Sequence, residues 1–462
     1  MVECNLPKVD VAGSSPVVRS IYLDKRLSMG TIYIVDVTNR DGVQTSRLGL
    51  AKLQKSIINL MLDDMGITQS EFGFPTTTHE LNYLNANLEL VERNVITKTR
   101  LSGWMRAIAP DVEKSFTNVP KLKHCNLSQS TSDQMIQGKY LGKKTKDDIL
   151  HMTCEAVECA KDKGAITVGV NAEDASRSDL EFLIKLGKEA KRCGADRFRY
   201  CDTLGYEDPW TAYNRINTLA KETQMPIEVH YHNDLGMAVA CSVMGARGAI
   251  DAGMDTYINT AINGMGERAG NADLVSCLLS VLKSAGFKGK YKLDENIDLS
   301  KAWKLAKYTA YAFGINIPIN QPAVGDNAFA HESGIHADGA LKDRRNYELY
   351  DYEELGRGEP EIIETGRMIT TGEYGGIKGF RNVYDKLEIE FKDEHEARNI
   401  LELARYANVH TQKPLTDSEL KFIYYYPEIA AKVMTVSPYY EPEGALKERV
   451  NSNVLTLPKH II

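Results

Sequence analysis

The sequence contains no apolar run approaching the roughly 20 residues that a membrane-spanning helix needs, so no spanning segment is expected. Met1 to Gly30 lacks the apolar core and cleavage pattern of a secretory signal and reads as an N-terminal arm over residues 1–29. A broad basic excess is also missing, since 56 Lys and Arg stand against 63 Asp and Glu, a formal net charge of −7. Nucleic-acid binding and membrane-surface binding both need a cationic field, so neither is expected, although a local basic patch remains open. Cysteines are sparse: the eight, at positions 4, 125, 154, 159, 193, 201, 241 and 277, show no C-x-x-C spacing. A zinc ribbon or thioredoxin-like pair is thereby excluded. The cysteines are expected to be buried thiols, with Cys154 and Cys159 in a helix and Cys125 and Cys201 in strands. The chain is expected to be cytoplasmic, a setting in which disulfides are not expected.

What is present is an ordinary globular composition, 43% hydrophobic and 26% charged over 462 residues, with material for a barrel and a further domain. From about residue 30 to 285, β-rich runs alternate with amphipathic stretches, the pattern of parallel strands joined by helical crossovers. The predicted strands are Thr31–Val37, Ser70–Phe74, Thr97–Trp104, Leu122–Leu127, Ala165–Ala172, Arg197–Thr203, Ile227–Asn233 and Asp255–Ile262. Predicted helices include Arg47–Met65, Lys146–Lys163, Asp179–Arg192, Pro209–Thr223 and Gly236–Ala252. Eight such pairs in about 255 residues fit a closed (β/α)8 TIM barrel better than a doubly wound sheet, which stops nearer six strands. The barrel is placed at 30–287. Lys288–Leu299 is polar and lysine-rich, and no further alternating strand is expected beyond it. A smaller, mainly helical C-terminal domain should follow, divided into a linker and helical lid over 288–385 and a helical subdomain over 386–462. The tyrosines at 424–426 and 439–440 read as packing or interface surface.

Three clusters sit at the carboxyl ends of predicted strands, where an α/β barrel gathers its chemistry. His230 and His232 are two residues apart on one strand face; Arg40, Asp41 and Gln44 close the first strand; Asn263 to Asn271 follows the eighth. Each has a bland reading: a hydrogen-bonded histidine pair, a strand-end ion pair, a glycine loop with Glu267–Arg268 as a surface pair. Taken together, Asp41, His230, His232 and Asn271 offer two nitrogens and two oxygens to a divalent ion, Mn2+ by preference, with Mg2+, Co2+ or Zn2+ as alternatives. Positions left open on such an ion suit the two oxygens of a 2-oxo acid, and Arg40 can offset negative charge developing on its ketone.

The motifs Asp36-x-Thr38-x-Arg40-Asp41-Gly42-x-Gln44, His230-x-His232-Asn233-Asp234-Leu-Gly236 and Gly264-x-Gly266-Glu267-Arg268-Ala-Gly270-Asn271 resemble the signatures of the acyl-CoA-condensing, metal-dependent barrels. That family includes the 2-isopropylmalate, homocitrate and Re-type citrate synthases, and the resemblance runs from about residue 30 to 385. It implies Asp41, His230 and His232 as metal ligands with Asn271 nearby or fourth, Arg40 as electrostatic catalyst, and Glu71 within the site. It also implies that His336 and Tyr347, eleven residues apart, reach a partner's barrel in a homodimer. With Glu71 they are the candidates for taking a proton from the acetyl-CoA methyl group. Gln44, Arg106, Asn171, Glu173 and Thr203 are the substrate-binding candidates.

Related lyases carry a cysteine in the glycine loop, and Gly264 to Asn271 has none, which favours condensation. Homocitrate synthases carry an arginine on the fifth strand for the distal carboxylate of 2-oxoglutarate, where this chain has Gly169. Leaving such a carboxylate unpaired costs several kcal/mol. The 77 residues after position 385 are short for a leucine-sensing domain. Val43 departs from the glutamate common in the family, leaving one charge fewer. The pattern looks most like the branch joining acetyl-CoA to oxaloacetate to give citrate. Homocitrate or another 2-alkylmalate is the alternative product, and a non-catalytic ligand-binding barrel is the alternative of a different class. Arg344 and Arg345 are plausible phosphate partners, although paired arginines are usually solvated surface.

Overall fold

A computed structural model describes residues 30–359 and 369–436; the expected arm 1–29 and Tyr439–Tyr440 lie outside the described residues. Eight parallel strands close on themselves: β1 (Thr31–Asp36), β2 (Gln69–Gly73), β3 (Arg100–Arg106), β4 (His124–Ser130), β5 (Thr167–Glu173), β6 (Arg197–Asp202), β7 (Ile227–Tyr231) and β8 (Thr256–Thr260). Neighbours pair in sequence order, and β1 pairs with both β8 and β2 to complete the TIM barrel.

Strand alternation separates two environments. On β5, Val168, Val170 and Ala172 join the main apolar cluster against the outer helices, leaving Gly169, Asn171 and Glu173 on the other face. Outer helices follow the matching rule. Leu180–Arg192 turns Phe182, Leu183, Leu186 and Ala190 to the barrel, is capped by Asp179 accepting from the Glu181 N–H, and ends in Lys191 and Arg192. The barrel interior, by contrast, is mostly polar, its apolar share being the small cluster of Val35, Val37 and Ala261 with Tyr257 against it.

The helical C-terminal region contributes Ala302–Phe313, Gly334–Lys342, Ile377–Lys386, Glu394–Thr411, Asp417–Tyr425 and Pro427–Met434. Tyr308 donates to Glu419 at 3.0 Å inside it, and the Lys52 N–H, opening the barrel helix Lys52–Met65, donates to His410 Nε2 at 3.1 Å.

Several expectations need correction. Cys154 and Cys193 are joined by a disulfide, because the adjacent helices Lys146–Asp162 and Leu180–Arg192 bring together thiols whose 39-residue separation carries no local signal. Beyond the eight expected strands a ninth, β9 (Lys292–Leu293), pairs with the start of β1. The third strand opens at Arg100 rather than Thr97, because the N–H groups of Thr97, Lys98 and Thr99 all donate to Asp63 Oδ1 and form a turn instead. The first helix starts at Lys52 rather than Arg47, which lies in the left-handed region at φ 67°.

Candidate active site

β1 ends at Asp36, and the chain turns tightly through Asn39, with the N–H groups of Arg40, Asp41 and Gly42 all donating to Val37 O. This places Arg40 and Asp41 over the barrel axis. β7 ends in His230 and Tyr231, with His232 next, its backbone bridged to Asn271. The loop from Asn263 to Asn271 can hold that bridge because Gly270, at φ 92°, packs where a Cβ would lie 2.0 Å from Gly264 O.

The ligand atoms of Asp41, His230 and His232 converge within 4.8 Å of one another, and all three residues are buried. Asp41 Oδ2 lies 3.3 Å from His230 Nε2 and 3.8 Å from His232 Nε2, and the two imidazole nitrogens are 3.2 Å apart. Burial would raise the Asp41 carboxyl, yet Arg40 and the histidines hold it well below the usual carboxylate range. Burial, then His230 alongside, push His232 down to about 3, so its ring is neutral and offers a lone pair. Asp41 Oδ1, His232 Nδ1 and Asn271 Oδ1 are buried with no hydrogen-bond partner among the described residues. A burial this poor in partners is costly and is relieved by a cation. Donor types and convergence therefore fit a divalent ion bound by nitrogen and oxygen.

Arg40, itself 7% exposed, is fixed from three sides. Its Nε donates to Glu71 at 2.8 Å, its Nη1 to Asp41 at 2.9 Å, and its guanidinium lies 5.7 Å over the Trp104 ring. Nη2 has no protein partner among the described residues and is the donor left for a ligand. Below it, an ion-pair column fills the barrel. Glu71 accepts from Arg199 at 2.5 Å, Arg199 also pairs with Glu228, and Glu228 meets Arg197 at 2.6 Å. Asn126 donates to Glu71 at 2.5 Å and Asn259 to Glu228 at 2.6 Å. Burial opposes ionisation of Glu71, but Arg199 and Arg40 hold it at about 2.

A cleft of about 200 Å³ opens above this column, lined by Arg40, Asp41, His230 and His232 together with Gln44, Asn171, Glu173 and Thr203. With its amide oxygen facing the barrel centre, Asn171 accepts from Trp104 Nε1 and Arg199 Nη1, both at 3.3 Å. Glu173 accepts from Ser130 and Lys139 at 2.6 Å, and Thr203 Oγ1 accepts from the Asp174 N–H at 2.9 Å. Arg268 pairs with Asp234 at 2.8 Å and donates to Thr203 O, so it braces the rim instead of forming a pair with Glu267.

Five candidates do not line the cleft. Glu71 is fully buried beneath Arg40 and does not face the cleft. Asn271, bridged by its backbone to His232, donates its Nδ2 to Met265 O at 2.9 Å and keeps its Oδ1 without a protein partner among the described residues. Arg106 is exposed and holds Asp111 with two bonds of 2.7 and 2.9 Å, away from the cleft lining. His336 and Tyr347 stack on each other at 4.2 Å between ring centroids in the exposed segment of the C-terminal region, and neither lines the cleft. Sequence reasoning missed Arg199, which lines the cleft and anchors the column. Its signal was the alternation Arg197-Phe-Arg199 within a buried strand, two like charges on one inward face.

Residues 31–308 match the HMGL-like family, and residues 323–411 match the homocitrate synthase post-HMGL domain-like family. The chain is 59% identical over 411 residues to the Citrate (Re)-synthase of Dehalococcoides mccartyi, covering 89% of this chain and 99% of that one. It is 37% identical to 2-isopropylmalate synthase 2 of Caldanaerobacter subterraneus, covering 85% and 95%. Hydroxymethylglutaryl-CoA lyase from Pseudomonas aeruginosa has the same fold, with a TM-score of 0.51 at 15% identity over 62% of this chain and 94% of that one.

Proposed function

We propose that this chain, which belongs to the HMGL-like family, is an acyltransferase that condenses acetyl-CoA with oxaloacetate and hydrolyses the thioester to release citrate and coenzyme A. The observation that carries the reading is the Asp41, His230 and His232 donor set beside a clamped Arg40, in a chain 59% identical to a Citrate (Re)-synthase along nearly its whole length.

Asp41, His230, His232 and Asn271 would hold a divalent ion, Mn2+ by preference, which supplies Lewis acidity to the ketone of the oxo acid. Arg40 turns its free Nη2 toward the cleft and stabilises charge developing on that oxygen, with no reorganisation because Glu71 and Asp41 already fix it. Glu71 acts by positioning Arg40: a carboxylate held at about 2 is a poor proton acceptor at neutral pH. His336, with Tyr347 stacked against it, is the group proposed to take the methyl proton. Neither lines the cleft of its own chain, which supports a homodimer in which this segment reaches the partner's barrel. Asn171, Glu173, Thr203 and Gln44 orient the oxo acid. Arg106, an earlier candidate for the same task, has no part in this scheme.

Gly169 supports the shorter dicarboxylate. A Cβ there would lie 2.1 Å from Asn126 Oδ1 and 3.4 Å from Arg197 Nε, so this interior has no room for an arginine facing a longer acid. We also place the protein in the cytoplasm and citrate formation in the tricarboxylic acid cycle, and retain 30–287, 288–385 and 386–462 as the working domain division. No described helix is long and apolar enough to cross a membrane.

Thiol release from acetyl-CoA across a panel of 2-oxo acids, with Mn2+ added or chelated, tests the reading. Oxaloacetate should be the preferred substrate, and chelation should stop turnover. Turnover of 2-oxoglutarate with oxaloacetate inert would transfer the assignment to homocitrate synthesis, and no thiol release with any acid would favour a binding protein.

A further inference from the structure

At the opposite end of the barrel, where the strands begin, lies a recess of about 660 Å³ that the proposed reaction does not use. Arg100 opens β3 and His124 opens β4, so this face is separated from the cleft by the length of the strands. Lys98, Arg100, Lys121 and Lys123 line it, with Glu92 as the one carboxylate among the lining residues. Glu92 is taken up by Lys121. Arg100 and Lys123 have no ion-pair partner among the described residues, and the Lys98 ammonium donates to Asp64 O at 3.4 Å and acts on Asp298 without forming an ion pair with it. Three cations without an ion-pair contact among the described residues thus face one concavity, in a chain whose net charge is −7. His124 registers that field: burial first, then Arg100 and Arg197, push it down to about 4. Its Nδ1 is engaged by Thr167 Oγ1 at 2.8 Å.

The rest of the lining includes Thr97 and Thr99 and an apolar part on which Val91 and Pro120 are exposed. Cations on one part of the wall and aliphatic side chains on another suit a ligand with a polyanionic end and a flat, weakly polar body. The volume lies within the ~300–1,000 Å³ of small-molecule sites, and a bare inorganic anion would leave the apolar part unfilled. The adjoining recess of about 460 Å³ shares Lys98 and Arg100 but also presents Asp294 and Glu295, which disfavour an anion there. We propose that the recess at the N-terminal face of the barrel binds a nucleoside polyphosphate, with the phosphates on Lys98, Arg100 and Lys123 and the base against Val91 and Pro120. The assignment is independent of the chemistry at the other face.

Calorimetric titration of the metal-loaded, full-length protein with ATP tests it, with adenosine and tripolyphosphate as separate probes and saturating coenzyme A present to occupy the cleft. One ATP per chain should bind in the presence of coenzyme A, and each fragment should bind at least ~tenfold more weakly than ATP. The double variant Arg100→Ala, Lys123→Ala should weaken ATP at least ~tenfold, as expected for two charge-assisted contacts. Both side chains are exposed, so the variant should keep its thermal midpoint and basal thiol release. Absence of ATP binding, its displacement by coenzyme A, unchanged affinity in the folded double variant, or tripolyphosphate binding as tightly as ATP would each overturn the assignment.

Discussion

The carboxyl end of the barrel and the segment 331–347 carry the same kinds of side chain and hold them in opposite states. At the barrel mouth, Arg40, Glu71 and Arg199 are buried and locked into one ion-pair column. In the segment, His331 meets Glu348 at 3.3 Å, His336 and Tyr347 stack, and Arg345 pairs with its near neighbour Asp343, all on a surface in which Tyr347 is 40% exposed. A group held by buried partners is rigid before any ligand arrives. A group on an exposed turn acquires its final surroundings from whatever docks against it. The first region carries both stability and chemistry, whereas the second should carry chemistry with little stability, and variants in each can separate the two.

The largest effect is expected at the donor set. Asp41→Ala removes a converging oxygen and the Arg40 partner, and turnover should fall by about 10³-fold or more, the consequence of losing several kcal/mol of charge stabilisation. Metal analysis should find the ion lost while far-UV circular dichroism stays unchanged. Retained metal and activity would sink the site.

That prediction rests on features the sequence already displayed. The barrel strands were legible because short β-rich runs alternate regularly with amphipathic stretches, and the three motifs because each falls where such a run ends. The column beneath them was not, since pairing Glu71 with Arg199 requires knowing that β2 and β6 face each other across a closed interior. The Cys154–Cys193 disulfide was hidden for the same reason. β9 is two residues long and carries no periodicity at all.

Next in size is the column itself. Arg199→Met keeps volume but leaves Glu71 and Glu228 without their shared cation, and should destabilise the fold by ~3–5 kcal/mol, read from urea midpoints. The same contact sets a pH dependence. Glu71 falls from an ordinary value near 4.5 to about 2 on folding, so its contribution is present above about 4.5 and is lost as pH drops toward 2. The variant should show a shallower loss over that window. Equal stability of the two proteins at neutral pH would mean that the column is dispensable.

His336→Ala inverts this pattern. Its stability should change by no more than ~0.5 kcal/mol, as for an exposed site, while kcat falls by ~10²-fold or more through loss of the proposed base. Exchange of the acetyl-CoA methyl protons should slow in parallel. Mixing this variant with Asp41→Ala sharpens the comparison further. If the segment serves the partner's barrel, a mixed dimer contains one intact site and regains activity that neither variant has alone. No recovery after confirmed subunit exchange would place both groups in one chain.

The smallest effect is expected at Arg106, where two periodicities give opposite answers. Trp104 and Arg106 share one face of β3 by the alternation of a strand, which suggests that both approach the substrate. Asp111 lies in the first turn of the following helix, Ala109–Asn118, and takes the guanidinium through two bonds, drawing it out to solvent. An exposed pair of this kind contributes at most ~1 kcal/mol. Arg106→Ala should therefore leave the KM for oxaloacetate within about twofold and lower stability by no more than that amount. A tenfold rise in KM, ~1.4 kcal/mol, would mean that the arginine leaves Asp111 when the acid binds, and that the exposed edge of the mouth behaves like the segment 331–347 rather than like the column below it.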